Sequence, residues 1–496
     1  MRDAAAKLQT TMLTALRRLW PALAVVTGLA LGGCSSWFPS SGREITLPEI
    51  PPQSQALPAA TREHQRILAA YGGAYTNAPL EARVTQIADR LVGSSERPDL
   101  KYNITILNSA AINAFALPSG QLYVTRGLLA LANDNSEIAS VLSHEMAHVV
   151  ADHATIRADQ ARHAAMVSNV VTDVLSDPTM GALALARSKF ALASFSRAQE
   201  LEADGIGVGI AARAGYDPYG AVRFLTSMER NAELKAGPNG TDLRATDFMS
   251  SHPATPDRVQ NAQLNARQHV APGAGERERA GYLASLNGMI YGDDPADGFV
   301  RARRFIHPRL GFTFTAPEGF ALENTAQAVL GVKNGGTEAM RLDVVRILAE
   351  QTLQDYLASG WIDGVEPGSA EDLTINGFPA ATAAAKGEQW SFRLYAIRFG
   401  TDVYRFIYAA KDKSAVTDRE FRTSVETFRR LTMAEIQSAR PLRLKIITVK
   451  AGDTIDGVAT RYMSHHDQPI ERFRVLNGLE RNARLKVGEH IKVVVE

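Results

Sequence analysis

The chain has 496 residues, 45% apolar and 22% charged, with a formal net charge of +1. That length calls for about three domains, and the composition excludes both a disordered chain and a multi-span membrane protein. Without a basic run there is no electrostatic footing for nucleic acid, and no nucleic-acid partner is expected.

The N-terminus carries Arg2, Lys7, Arg17 and Arg18, then the apolar run LWPALAVVTGLALGG, then Cys34, the single cysteine. One cysteine excludes an intramolecular disulfide. A basic stretch and a short apolar run ending in small residues read as a secretory signal over residues 1–33. The run, at about 14 residues, is shorter than the roughly 20 that a spanning helix needs. Leu31-Gly32-Gly33-Cys34 resembles a bacterial lipobox, whose cysteine is lipidated and begins the mature chain. An ordinary signal peptide that happens to contain a cysteine is the competing reading. In known lipoproteins a residue such as Ser35, rather than an aspartate, points to the outer membrane. The expectation is an outer-membrane lipoprotein in the periplasm of a Gram-negative bacterium, anchored to lipid through acylated Cys34.

Residues 34–60 are rich in Pro and Ser and read as a tether. Residues 61–270 are mostly helical in pattern, interrupted by two apolar runs around Pro118-Ser119-Gly120, a hairpin signal. Residues 271–300 read as a linker. Residues 301–432 combine strand-like runs, with a turn at Gly400-Thr401-Asp402, and helix-like segments at 352–361 and 418–431. This is an α+β domain with no recognisable chemical motif. A second linker covers 433–445, and 446–496 read as strand, two short helices, strand.

The chemistry concentrates in SEIASVLSHEMAHVVADH, residues 136–153. His144 and His148 are four apart, so on a helix their imidazoles point to one place, with Glu145 beside them. Asn133 or Asp134 supplies an N-cap and Glu137 a carboxylate that reaches back. Ile138, Leu142 and Val149 form an adjacent apolar stripe that would pack this helix into the core. Two neutral imidazoles and a carboxylate bind Zn²⁺ and leave a position for water, and the glutamate of His-Glu-x-x-His serves as general base. The same five residues also occur in helices that bind nothing.

His153 comes five residues after His148, whereas the metzincin pattern places a third histidine six after, behind a glycine where Ala151 stands here. On a continuous helix that spacing turns His153 off the metal face, so it is not expected to be a ligand. A better third ligand is Glu200 in FSRAQELEADGIGVGIAARAGYDP, residues 195–218, with Asp204 one turn further on to accept a ligand histidine's ring N–H. Glu202 is expected to face away, and the helix should stop at Gly215. A surface charge cluster is the alternative for this acidic run.

His-Glu-x-x-His followed by Glu-x-x-Ala-Asp resembles the M48 gluzincin metallopeptidases, as do YGGAY (71–75), NAFALPSGQLYVTRGLL (113–129) and SHPATPDR (251–258). The resemblance spans about 61–265 and implies one zinc per chain on His144, His148 and Glu200. It implies Glu145 as general base and Asp204 behind a ligand. His252 matches a family histidine near the metal, which either stabilises the oxyanion or fills the open zinc position. Arg258 matches an arginine that pairs with an acidic site residue. The resemblance also makes 113–125 a strand edge to which an extended substrate adds. The segment 155–194, which contains His163, reads either as a lid over the cleft or as a core helical hairpin, with His163 structural.

TVKAGDTIDGVATRY (448–462) and ERFRVLNGLERNARLKVGEHIKVV (471–494) resemble a LysM domain, a βααβ module that binds N-acetylglucosamine-containing glycans. Gly452, Asp453, Thr454 and Asn477 are the candidate glycan-binding residues. His465 and His466 read as exposed loop residues.

The expected fold is therefore multidomain: a mainly α gluzincin metallopeptidase domain with a small β-sheet, an α+β domain, and a βααβ LysM module. The expected function is a periplasmic zinc endopeptidase acting on unfolded or misassembled envelope proteins, held to peptidoglycan by LysM, with outer-membrane assembly machinery as a further partner. The alternatives are an assembly chaperone with a latent zinc site and a peptidoglycan peptide hydrolase.

Overall fold

The computed structural model describes residues 59–156, 195–236, 252 and 256–496, apart from 334–335, 360–361, 363, 388, 413 and 465–467. The expected signal, Cys34 and most of the tether lie outside the described residues, as do the 155–194 insertion from 157 onward, His465 and His466. Among the described residues no helix is long and apolar enough to cross a membrane.

The first domain opens with α1 (Ala59–Ala70) and α2 (Ala78–Gly93). Asn77 caps α2 by accepting from the Leu80 amide, and Leu80, Val84, Ile87 and Leu91 form its buried stripe. A three-stranded sheet follows: β1 (Asn103–Leu107), β2 (Ala114–Leu117) and β3 (Gln121–Thr125), in the order β1-β3-β2. The hairpin expected around Pro118–Gly120 joins β2 to β3, and β1 pairs parallel to β3. This order leaves β2 at an edge of the sheet.

The helices α3 (Arg126–Leu131), α4 (Asn135–Val150), α5 (Arg197–Arg213), α6 (Gly220–Ala236), α7 (Pro256–His269) and α8 (Arg279–Leu286) complete the domain. Helix α4, which carries His-Glu-x-x-His, is buried at every residue from Asn135 to His148. The apolar stripe expected from the sequence is therefore only part of its buried surface. Helices α2, α5 and α6 and strand β2 surround it, and such burial requires each polar group to find a partner. Asp134 is the N-cap, accepting from the Glu137 amide, while Glu137 Oε2 accepts from the Asn133 amide at 2.9 Å. Arg223 and Arg277 pair with Asp134.

The middle domain contains β4 (Phe299–Arg301), β5 (Arg304–His307), β6 (Phe312–Thr315), β7 (Phe320–Asn324), β8 (Val329–Lys333), β9 (Glu338–Val345), α9 (Leu353–Ala358), β10 (Glu371–Ile375), β11 (Phe378–Lys386), β12 (Ser391–Phe399), β13 (Asp402–Ala410), α10 (Ala415–Glu426) and β14 (Arg429–Arg430). Its seven-stranded sheet runs β10-β11-β12-β13-β9-β8-β7, and a four-stranded one runs β14-β6-β5-β4. Its aromatic core, including Phe312, Phe314, Phe406, Tyr408 and Phe428, is separate from that of the first domain.

After α11 (Met433–Ser438) come β15 (Arg443–Thr448), α12 (Ile455–Met463), α13 (Pro469–Asn477) and β16 (His490–Val495), the expected strand-helix-helix-strand module. It is not a separate bead on the chain. Its Leu444, Phe473, Leu476, Ile491 and Val493 belong to the same core as Leu129, Leu131 and Tyr282 of the first domain. Lys492 is fully buried, and its Nζ donates to the carbonyls of Ala130 (2.7 Å), Leu131 (3.2 Å) and Ala132 (2.7 Å).

Two linker readings are corrected by this packing. Within 271–300, α8 buries Tyr282, Leu283 and Leu286, and Tyr282 Oη donates to the Leu129 carbonyl at 2.6 Å. Within 433–445, Thr432 and Glu435 form a capping box on α11, and β15 begins at Arg443. In both places a short helix hides between Gly-, Pro- and charge-rich flanks, too brief to show a period.

Candidate metal centre

Helices α4 and α5 run against each other, and one residue sets how closely. A Cβ added at Gly207 would lie 2.9 Å from the His144 backbone nitrogen and 3.0 Å from its Cα. Glu200, Asp204 and Gly207 follow one another at helical spacing, so the face of α5 that carries the carboxylates is also the face that lets α4 approach. Ser196 and Gln199 close a capping box at the start of α5.

At this contact the donors converge. His144 Nε2 and His148 Nε2 are 3.1 Å apart. Glu200 places Oε2 3.5 Å from the first and Oε1 3.5 Å from the second. His252 Nδ1 lies 2.8 Å from Glu200 Oε1 and 3.3 Å from His144 Nε2. All four residues are buried, and their donor atoms fall within 4.8 Å of one another. Ligand bonds of about 2.0–2.1 Å in a tetrahedron put donors about 3.3 Å apart. Three imidazole nitrogens and a carboxylate oxygen at these separations fit a zinc ion.

The surrounding groups hold this cluster. His144 Nδ1 is 3.0 Å from Asp204 Oδ1, so the carboxylate stands behind the ring and favours Nε2 as the nitrogen that faces the metal. Arg258 donates to both Asp204 oxygens, from Nε at 2.8 Å and Nη2 at 2.7 Å. Its Nη1 lies 2.7 Å from Glu200 Oε2 and donates to the His252 carbonyl at 3.2 Å. One buried guanidinium therefore ties together a ligand, a ligand's support and the His252 backbone. Glu145 is buried with its Oε1 3.7 Å from His252 Nε2 and without a hydrogen-bond partner among the described residues.

Titration follows from these contacts. Burial raises the Glu145 carboxyl above its usual range and lowers His148 to about 3, keeping it neutral as a ligand must be. Burial also opposes charge on Glu200, but hydrogen bonds from His144, His148 and His252 outweigh it and hold the carboxyl far below its usual range. For His144 the Asp204 and Glu200 carboxylates overcome burial and push the imidazole up to about 9.

The model of Peptidase family M48 matches residues 78–266, and the LysM domain model matches 447–494. The chain carries an M48 peptidase domain. Family M48 is zinc-dependent, in keeping with the donor set. The chain is 30% identical over 186 residues to the Mitochondrial metalloendopeptidase OMA1 of Schizosaccharomyces pombe, covering 37% of this chain and 52% of that one. To the Beta-barrel assembly-enhancing protease of Escherichia coli K12 it is 27% identical over 194 residues, covering 37% and 38%. To the Putative beta-barrel assembly-enhancing protease of Vibrio cholerae it is 28% identical over 245 residues, covering 47% and 49%. The chain thus spans about half or less of the length of these curated relatives.

The M48 domain brings together all six of its sequence-predicted residues besides Glu145: His144, His148, Glu200, Asp204, His252 and Arg258. The LysM residues divide. Gly452, Asp453 and Thr454 share one loop, Gly452 with a φ of +86° that favours glycine, and Thr454 capping α12. Asn477 is corrected: it is buried, its amide donating to the Phe473 and Lys492 carbonyls and accepting from the Lys492 amide. It pins α13 to β16 instead of facing a ligand.

Sequence reasoning also set aside His153 and Glu202. His153 is not among the converging donors, yet its Nδ1 lies 2.9 Å from His148 Nδ1, and its Nε2 lies 3.4 Å from Glu202 Oε2. A five-residue spacing turns His153 off the metal face only on a continuous helix. In fact α4 ends at Val150, and Asp152 adopts a left-handed φ of +53° that swings the chain back. The only hint in the sequence was an aspartate, a residue type enriched in that conformation. Phe195, also unforeseen, stacks on His148 with ring centroids 3.9 Å apart.

Proposed function

We propose that this protein is a zinc-dependent metalloendopeptidase of the bacterial envelope, acting on extended segments of unfolded or misassembled envelope proteins. The observation that carries the reading is the convergence of His144, His148 and Glu200 beside a buried carboxylate, Glu145, that is spent on no hydrogen bond among the described residues.

When bound at these residues, zinc would supply Lewis acidity, acidifying water towards neutral pH and polarising a peptide carbonyl. Glu145 takes the proton of the attacking water and returns it to the departing amine, a task suited to a carboxyl whose pKa burial has raised. Asp204 keeps His144 in the tautomer that presents Nε2, and Arg258 holds Asp204 and Glu200 in register. Among the described residues strand β2 is paired on one side only and packs on α4, so a substrate segment adds to its free edge by backbone hydrogen bonds.

His252 supports a second reading alongside the first. Structural zinc sites are closed by four protein donors, whereas catalytic ones keep a position open. With His252 as the fourth donor, the arrangement is that of a latent enzyme, which in that state could act as an assembly chaperone. The LysM module supports peptidoglycan as the surface that localises the protein, and Cys34 supplies a lipid anchor in the outer membrane.

The test compares the zinc-loaded full chain in detergent with its Glu145→Gln variant, following cleavage of an unfolded outer-membrane protein. Both should bind one zinc, because Glu145 is not a ligand. Cleavage by the first and not the second establishes the peptidase. If neither cleaves while both hold zinc, the chaperone reading moves ahead. Release of peptides from purified sacculi instead would favour the peptidoglycan hydrolase.

A further inference from the structure

The two ligand histidines of α4 are supported in different ways. His144 meets a carboxylate directly, with Nδ1 3.0 Å from Asp204. Among the described residues no carboxylate lies within reach of the His148 Nδ1. Instead that atom lies 2.9 Å from Nδ1 of His153, an imidazole only 2% exposed. The far side of the His153 ring reaches Glu202, with Nε2 3.4 Å from Oε2, on the face of α5 turned away from Glu200.

We propose that His153 and Glu202 are positioning residues for His148, forming a relay that fixes its tautomer and ring orientation for zinc. The inference rests on the zinc-site reading above and deepens it.

The proton inventory allows a single arrangement that binds metal. His148 Nε2 faces the donor cluster, 3.1 Å from His144 Nε2 and 3.5 Å from Glu200 Oε1, so its lone pair must point there. The ring proton then sits on Nδ1 and is donated to His153 Nδ1, which must be bare. That places the proton of a neutral His153 on Nε2, facing Glu202, whose carboxylate accepts it. Each imidazole carries one proton, each donates once, and the chain of donors ends on a charge near solvent. Ligand histidines commonly donate their second N–H to a carboxylate or carbonyl; here an imidazole stands between.

The backbone is shaped for this contact. His153 returns under His148 because Asp152 takes a left-handed conformation, at φ +53°, directly after α4 ends. A non-glycine residue in that region is held there by its surroundings, and such positions gather at functional sites. Phe195 closes the other side of the ring, stacked at 3.9 Å with an interplanar angle of 22°. The His148 ring is thus confined by stacking and oriented by the hydrogen bond.

The test measures zinc affinity of the full chain by competition with a chromophoric chelator, for wild type, His153→Leu, His153→Asn and Glu202→Ala. Losing an outer partner of a metal ligand typically costs about 10–100-fold in affinity, so His153→Leu should weaken zinc binding by about tenfold or more. His153→Asn, whose side-chain carbonyl can still accept, should recover most of that loss. Glu202→Ala, which removes only the exposed end, should lose less than His153→Leu. In ¹⁵N-labelled zinc-loaded protein, His148 Nδ1 should carry a slowly exchanging proton that becomes fast-exchanging in His153→Leu.

Leucine binding zinc within twofold of wild type would overturn the relay, and so would leucine and asparagine variants that are equally weak, since packing alone would then explain the loss. If wild type itself holds no zinc, the metallopeptidase reading fails first and the relay falls with it. Wild-type binding with an unaffected leucine variant removes the relay alone.

Discussion

Lys492 Nζ, on the last strand of the chain, lies 2.7 Å from the carbonyl oxygen of Ala132, immediately before the metal-binding helix. Helix α3 ends at Leu131 with carbonyls that no intrahelical amide can reach. A lysine from the LysM module takes Ala130, Leu131 and Ala132 together. Helix α4 begins three residues further on, at Asn135, with Asp134 as its N-cap. The LysM module is thereby built into the scaffold that starts the helix carrying His144 and His148.

Replacing Lys492 with methionine keeps the apolar stem and removes the Nζ donor, leaving buried carbonyls without their partner. We expect a loss of about 2–3 kcal/mol in stability, read as a lower urea midpoint with an unchanged slope. Because the two domains share one core, the M48 and LysM regions should unfold together. A chain ending before Arg443 should show heightened protease sensitivity in residues 78–150, and two separate transitions would refute the shared core.

His252→Ala opens the fourth position while leaving His144, His148 and Glu200 in place. A closed form that admits substrate in only about 1–10% of molecules reduces apparent activity by that fraction. Cleavage by the variant should therefore rise roughly ten- to a hundredfold, with zinc stoichiometry still one per chain. Unchanged or lower activity at full zinc loading would assign His252 to the oxyanion instead.

Gly207→Ala tests the spacing of the ligand helices. The new methyl group would meet the His144 backbone at about 3 Å, and backbone cannot move aside as a flexible side chain does. Overpacking of this kind costs about 1–3 kcal/mol, and here it also separates Glu200 from the two histidines. Zinc affinity should fall together with the melting temperature. Gly205→Ala, on the same helix with only a side-chain atom 3.5 Å away, serves as the control and should bind zinc normally.

Much of this site was legible because local periodicity encodes it. His144 with His148, and Glu200 with Asp204, are pairs one helical turn apart, so each points the same way wherever its helix lies. The aromatic and β-branched runs around Phe312, Leu342, Tyr395 and Phe406 read as strands by composition, and the hairpin at Pro118–Gly120 announces itself by turn chemistry. What failed had no such signature. The eight-residue α8 is too short to show a period between its flanks. Asn477 carries a polar side chain that suits a binding groove equally well and is instead consumed by the Lys492 backbone.

By itself the sequence determined which residues could ligate a metal and which faces of two helices they occupy, since side-chain spacing along a helix is fixed by backbone geometry. Only the tertiary structure decided how these faces meet. Gly207 sets the distance between α4 and α5, and Arg258 bridges Asp204, Glu200 and the His252 carbonyl. The left-handed turn at Asp152 brings His153 back under His148, and Lys492 joins the LysM module to the segment just before α4. These contacts link positions whose proximity depends on where a helix stops or on packing hundreds of residues away, and no local period records either.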